Sequence, residues 1–225
     1  MKKIQNHRIR VAAEKRVTME NKLLMSGLIL ASEKSLHEIS IEEIIIQAEV
    51  SRGSFYKYFT TAPDLFNKLA KKIALELLDV FKEITPEKTD PAVTLSISTR
   101  IALRLFVTYP LLGRLLLQIQ WHSESDSGLF KKIESDIENG VKQKRFNQIP
   151  IKLGSSIVVG AMIGAISEML KQIPAKGYED KVAYHLLLSL GIDNKEAKEL
   201  SNVPIKIKPI IPTDGILGKI FEFCN

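Results

Sequence analysis

Apolar residues recur along this chain at spacings of three and four, the period of an α-helix, and no convincing run of alternating strand positions occurs before position 203. Leu23, Leu24, Leu28 and Ala31 share one face and predict a first helix over about 17–34. Three short helices follow between Ser40 and about Lys72, and Leu65, Leu69, Ile73, Leu77 and Phe81 carry the last of them on to Phe81. Two prolines within 84–93 (ITPEKTDPAV) mark a break, and Pro110, 121–128 and 147–150 mark later ones. These divide the remainder into helices near 92–108, 111–120, 128–145, 151–172, 178–191 and 194–201. The proline-spaced text VPIKIKPIIP, 203–212, excludes continuous helix, and Ile216, Leu217, Ile220 and Phe221 form a short amphipathic end. The expected fold class is all-α.

The densest information lies in 40–59, SIEEIIIQAEVSRGSFYKYF. Ser40 followed by Glu43 is a capping-box pattern that fixes where a helix starts. Ile41, Ile44, Ile45 and Ala48 then fall at i, i+3, i+4 and i+7, giving one buried face. With Ser51 as the next N-cap, Val50 and Phe55 occupy the two positions of a hydrophobic staple, and Phe59 follows one turn later. The opposite face presents Arg52, Ser54, Tyr56 and Lys57. A short, well-capped helix with basic and hydroxyl groups outward suits a major-groove reader, since Arg and Lys donate to guanine edges or phosphates and hydroxyls reach phosphate oxygens. Such helix pairs also occur in proteins that never touch DNA, so spacing alone leaves both readings open. Upstream, Lys2, Lys3, Arg8, Arg10, Lys15 and Arg16 stand against Glu14 alone within 1–16, a basic arm that favours a polyanionic partner.

Composition narrows the classes further. The chain has 225 residues, 45% hydrophobic and 26% charged, the mix of a globular protein with a core. A net charge of +6 permits a nucleic-acid partner without requiring one. The single cysteine, Cys224, excludes an internal disulfide and favours a reducing compartment. The basic N-terminus is not followed by an apolar signal core. The uncharged stretch Leu153 to Ser167 is too short to span a bilayer and reads as a buried helix. The expected location is cytoplasmic, with no membrane partner. His7, His37, His122 and His185 show no metal-ligand spacing with one another or with Cys224, and no phosphate-cradling loop or nucleophile elbow occurs. Asp126, Glu134, Asp136 and Glu138 alternate with Lys131 and Lys132 as on a solvated helix face. No catalytic residue, metal or cofactor is therefore expected.

The text V50-S-R-G-S-F-Y-K-Y-F59, preceded by an Ile-x-x-x-Ala helix and followed by x-x-x-x-D-L-F, closely resembles the recognition-helix pattern of the tetracycline-repressor (TetR) family. The match covers roughly 17–77. The resemblance implies a DNA-binding transcriptional regulator with a basic arm at 1–16, a helix-turn-helix domain at 17–77 (motif 40–59), a helical ligand-binding and dimerisation domain at 78–202, and an extension at 203–225. It implies that Ser40 bonds a phosphate, that Arg52, Ser54 and Lys57 face base edges beside the capping Ser51, that Tyr56 and Tyr58 lie on the sugar-phosphate backbone, and that Thr61 adds a phosphate contact. The partner it implies is double-stranded DNA bearing a palindromic operator. Three positions depart from the pattern: Glu49 replaces a turn glycine, Ile45 a small alanine, and Ala62 a frequent lysine.

For the larger part, the resemblance implies a homodimer and a small-molecule effector. Gly154, Gly160, Ala161, Gly164 and Ala165 would let another helix approach the 151–172 helix, with Tyr184, Leu187 and Leu188 of 178–191 beside it; burial within one subunit is the alternative. Phe106, Tyr109, Leu116, Gln118, Trp121, His122 and Phe130 are candidate pocket walls for an apolar or aromatic ligand, or else ordinary core. The leading expectation is a ligand-released repressor. Its rivals are a ligand-independent regulator or activator whose C-terminal domain binds another protein, and a helical module with a decayed DNA reader.

Overall fold

A computed structural model of the protein describes residues 2–84, 90–117, 128–172, 175–205 and 215–224. Among them are eleven α-helices and no strand, so the fold class is all-α as expected. The chain divides into two compact units, Met1–Ala70 and Lys71–Asn225.

Unit 1 holds α1 (Lys2–Glu33), a 3-10 turn (Leu36–Glu38), α2 (Ile41–Gln47), α3 (Arg52–Tyr56) and the start of α4 (Ala62–Ile84). The first helix begins far earlier than the expected residue 17, because the basic arm is its N-terminal half. Nothing from Lys2 to Ser26 is glycine or proline, and Ala12, Ala13, Glu14, Lys15 and Arg16 are good helix formers, so propensity extends the helix where no apolar face does. Leu23, Leu24, Leu28, Ile44, Phe55, Leu65 and Leu69 are fully buried in this unit. A Cβ on Gly27 would stand 2.6 Å from Leu65 Cδ2, which explains a glycine on the buried face of α1.

Unit 2 continues α4 and adds α5 (Pro91–Thr108), α6 (Pro110–Leu117), α7 (Gly128–Lys142), α8 (Ile151–Lys171), α9 (Tyr178–Ser189), α10 (Asn194–Ser201) and α11 (Gly215–Cys224). Pro91 and Pro110 stand at first helical positions, where the missing N–H costs nothing, so these sequence breaks are helix starts. Helix α5 packs against α6, α7, α8, α9 and α10. Ile137, Val158, Leu186, Leu187 and Leu190 form the core between α7, α8 and α9. Two arginines lock the ends. Arg145 Nε donates to both Asp90 carboxylate oxygens at 2.8 Å and Nη2 to Glu196 at 2.7 Å, while Asp90 caps α5 by accepting from Ala92 N–H at 2.8 Å. The buried Arg100 donates to Asp180 at 2.6 Å and to the Val203 carbonyl at 2.7 Å.

Beyond Val203, the apolar end predicted at 216–221 forms α11, with Leu217 and Ile220 fully buried. The Glu76 carboxylate of α4 accepts from the Ile216 and Leu217 amides at 3.1 and 2.8 Å, and Phe221 packs on Tyr109 with ring centroids 4.3 Å apart. Helix α8 continues past both ends of the uncharged stretch 153–167, taking in Lys152, Glu168 and Lys171. By length and composition it is therefore long and apolar enough to cross a membrane, unlike the uncharged stretch alone, because the helix does not stop at these charges. It packs on α5, α6, α7 and α9, yet only 33% of its most apolar window is buried.

Candidate nucleic-acid interface and effector cavity

Each helix of the 40–59 motif starts at a hydroxyl cap. Ser40 Oγ accepts from the Glu43 amide at 3.3 Å, and Glu43 Oε2 accepts from the Ser40 amide at 2.9 Å, completing the capping box. The same carboxylate takes the Lys34 ammonium. That bond, with those from the Ser40 amide and hydroxyl, holds the Glu43 carboxyl down at about 2 from its ordinary 4.5. A lowered pKa means stability contributed in full above about pH 4.5 and lost as pH falls toward 2. Glu43→Gln is expected to flatten the acid limb of unit 1 unfolding in that window, followed by circular dichroism against pH.

Helix α2 ends with Glu49 at φ 49°, its N–H donating to Ile46 O and the Val50 N–H to Ile45 O, both at 3.0 Å. That is a Schellman end with glutamate at the position glycine favours. Helix α7 ends the same way at Lys144 (φ 57°), and α9 at Gly191 (φ 92°), where a Cβ would meet the Asn147 side chain at 2.2 Å. A left-handed residue with a Cβ costs roughly 1–2 kcal/mol, partly offset by glycine's larger unfolded-state entropy. The Lys22–Glu49 pair at 3.9 Å is solvent-exposed and contributes little. Glu49→Gly is thus expected to stabilise unit 1 by about 1 kcal/mol in chemical denaturation, whereas Glu49→Ala should not.

Ser51 Oγ accepts from Ser54 N–H at 3.1 Å and lies 2.9 Å from Ser54 Oγ, so the two hydroxyls pair with each other in the free protein. Phe55 and Phe59 are buried with ring centroids 5.7 Å apart, anchoring α3 from beneath. The helix proper stops at Tyr56; Lys57 is its cap and Tyr58 follows in the turn. Ser40, Ser51, Arg52, Tyr56, Lys57 and Thr61 are exposed, and Ser54 and Tyr58 half-buried. Arg52 is raised above its ordinary pKa by Tyr56, whose ring centroid lies 5.9 Å away, and then by Glu42, which accepts from Nη1 at 3.3 Å. Thr61 Oγ1 caps α4 by accepting from Asp64 N–H at 3.2 Å. Ala62, in the place of the frequent lysine, is buried at 8% exposure. Lys15, Arg16 and Met19 of α1 border a shallow recess with Lys57 and Tyr58. The sequence marked these basic residues but not their meeting, which depends on the helix reaching back through 15 and 16.

Unit 2 contains a cavity of about 130 Å³ between α4, α5, α6, α7 and α8. Phe106 and Leu116, both candidates from the sequence, line it. Tyr109 packs on Phe221 instead, Phe130 is half-buried on α7 outside the lining set, and Gln118, Trp121 and His122 lie outside the described residues. Its polar groups went unpredicted: Thr94, Ser98 and Thr99 of α5, and the paired Lys132 and Asp136 of α7. Ser98 Oγ returns to the Thr94 carbonyl at 2.8 Å, whereas Thr99, 4% exposed, has a hydroxyl without a hydrogen-bond partner among the described residues. On α8, a Cβ on Gly154 would meet Ile137 at 2.9 Å, but Cβ atoms on Gly160 and Gly164 would meet nothing within 4 Å. No group of three or more His, Cys, Asp or Glu that would hold a metal occurs among the described residues.

Residues 23–69 match the model of bacterial regulatory proteins of the tetR family, and 90–202 match the tetracyclin repressor-like C-terminal domain, which alone spans half of the chain. The chain belongs to the TetR family. It is thus a DNA-binding transcriptional regulator with a helix-turn-helix reader. This TetR-family regulator is similar in fold to RolR in complex with resorcinol, at 22% identity and a TM-score of 0.67, over 87% of this chain and 98% of that one. It is also similar to FadR from Bacillus halodurans (17% identity, TM-score 0.61, 75% and 94%) and to FadR from Bacillus subtilis in complex with stearoyl-CoA (14%, 0.60, 76% and 98%). No curated protein sequence matches it. The C-terminal match ends at 202, so α11 lies beyond the region the family model describes.

Proposed function

We propose that this TetR-family regulator is a repressor that binds a palindromic operator as a homodimer and is released by a small apolar or aromatic ligand. The observation that carries the DNA reading is the division of α3 and its turn: Phe55 and Phe59 are buried, while Arg52, Tyr56 and Lys57 are exposed. In this reading Arg52, Ser54 and Lys57 address base edges beside Ser51, and Ser40, Tyr56, Tyr58 and Thr61 hold the backbone. Lys15 and Arg16, bordering the recess with Lys57 and Tyr58, supply phosphate contacts that Ala62 does not. The proposed arm at 1–16 thus acts as a helical extension of the reader.

The dimer rests on α8, whose open glycines and exposed Leu153 leave an apolar face for a second copy. Two copies related by a two-fold axis read two half-sites, which is why the operator should be palindromic. The proposed ligand occupies the unit 2 cavity. Two similar structures hold a small molecule, resorcinol in RolR and stearoyl-CoA in Bacillus subtilis FadR, which supports an effector site in this fold. A ligand that favours a conformation with wrongly spaced recognition helices lowers operator affinity without touching DNA.

Sequencing genomic fragments retained by the protein at low salt is the direct test. Enrichment of one two-fold symmetric sequence is the expected result. Retention without sequence preference, or none, would reject the operator reading.

A further inference from the structure

We infer that the unit 2 cavity takes a neutral, single-ring compound bearing a hydroxyl, the phenol class, with Thr99 as its hydrogen-bond partner. This rests on the ligand reading above and narrows it. Size comes first: the cavity measures about 130 Å³, and an apolar cavity of about 150 Å³ is known to hold one benzene ring. Leu95, Ala102, Phe106, Ile133 and Met162 supply walls of the matching apolar character. A long acyl chain exceeds that volume and would have to extend out through the open side of the cavity.

Polarity then selects within one-ring compounds. Thr99 is 4% exposed, lines the cavity, and has a hydroxyl with no partner among the described residues. A helical threonine hydroxyl ordinarily returns to a carbonyl one turn back, as Ser98 does to Thr94. Thr99 leaves a buried donor and acceptor with which a ligand hydroxyl can pair. Charge disfavours the ionic alternatives. Among the described residues of the lining, Lys132 and Asp136 are the charged ones, and they pair with each other. A carboxylate ligand would meet Asp136 and an ammonium Lys132, neither finding an unpaired counter-charge, so burying a charged ligand is penalised.

The test uses the full chain and four probes: phenol, toluene, benzoate and decanoate, titrated by calorimetry. Phenol and toluene have similar volumes, so their affinity ratio isolates the hydroxyl. Thr99→Val is expected to lower the phenol-to-toluene ratio about tenfold. It should leave the melting temperature equal or higher, because a buried unpartnered hydroxyl is gone. Thr99→Ser, which keeps the hydroxyl, should preserve the ratio, and benzoate should bind at least tenfold more weakly than phenol. An unchanged ratio in Thr99→Val, benzoate binding as well as phenol, or no binding of phenol and toluene overturns the inference. Operator release is scored separately. If decanoate binds and releases DNA while neither neutral ring binds, the phenol-class inference falls and ligand release stands. If phenol binds as expected but leaves operator binding unchanged, ligand release by this class falls and the site assignment stands.

Discussion

Replacing Gly160 and Gly164 together by leucine is expected to yield a folded monomer whose operator affinity has fallen about a hundredfold or more. Both glycines are exposed, and a Cβ at either position would have nothing within 4 Å beyond its own helix, so each side chain starts out into open space. Each removes a glycine from the interior of α8, which favours the helix by up to about 1 kcal/mol. The monomer loses the stability that association lends the parent, so it should keep its helical circular dichroism and cooperative melting while its melting temperature no longer depends on protein concentration. What the leucines fill is the space a second α8 would need for close approach, so the effect falls on association alone. Sedimentation velocity and melting, read together, separate this from misfolding: a dimer of unchanged mass would reject α8 as the interface. A leucine at Gly154 would not discriminate, because a Cβ there already meets Ile137 within the subunit.

What the sequence made legible follows from where its signals come from. Helices with an apolar face, such as α4 through Leu65, Leu69, Ile73 and Leu77, announce themselves by period, and all four of those residues are buried. The caps were legible because a capping box needs only Ser40 and Glu43 at fixed spacing. The N-terminal half of α1 was not, since a run of polar helix formers has propensity but no face. The cavity was hardest to read. Lys132 and Asp136 at i and i+4 carry the pattern of a solvated face, and only the packing of α5 and α8 beside α7 places them in a lining. Tyr109 looked like a pocket wall because its partner, Phe221, arrives from a helix separated from it by more than a hundred positions. Long-range pairing of this kind has no local spacing to reveal it.

Alanine at Arg52 and at Lys15 should separate sequence reading from general attraction to DNA. In the proposed dimer each substitution acts twice. A base-directed arginine contributes about 1–3 kcal/mol per contact, so Arg52→Ala is expected to weaken operator binding by roughly 2–6 kcal/mol and to flatten discrimination at its base pair. Lys15→Ala, which removes a proposed phosphate contact in the recess beside Arg16 and Lys57, is expected to weaken operator and random DNA alike. It should also lower the slope of log affinity against log salt by about 2 for the dimer. Folding should not be at stake. Arg52 is 62% exposed and its pair with Glu42 is similarly solvated, a geometry that contributes at most about 1 kcal/mol. Fluorescence anisotropy across a salt series, with operator and scrambled duplexes, yields both quantities at once. If Arg52→Ala weakens the two duplexes equally, Arg52 holds a phosphate, and base recognition must come from Ser54, Lys57 or the helical arm. The pair with Glu42 gives that outcome a physical route, because a carboxylate 3.3 Å from the guanidinium competes with a base edge for the same donors.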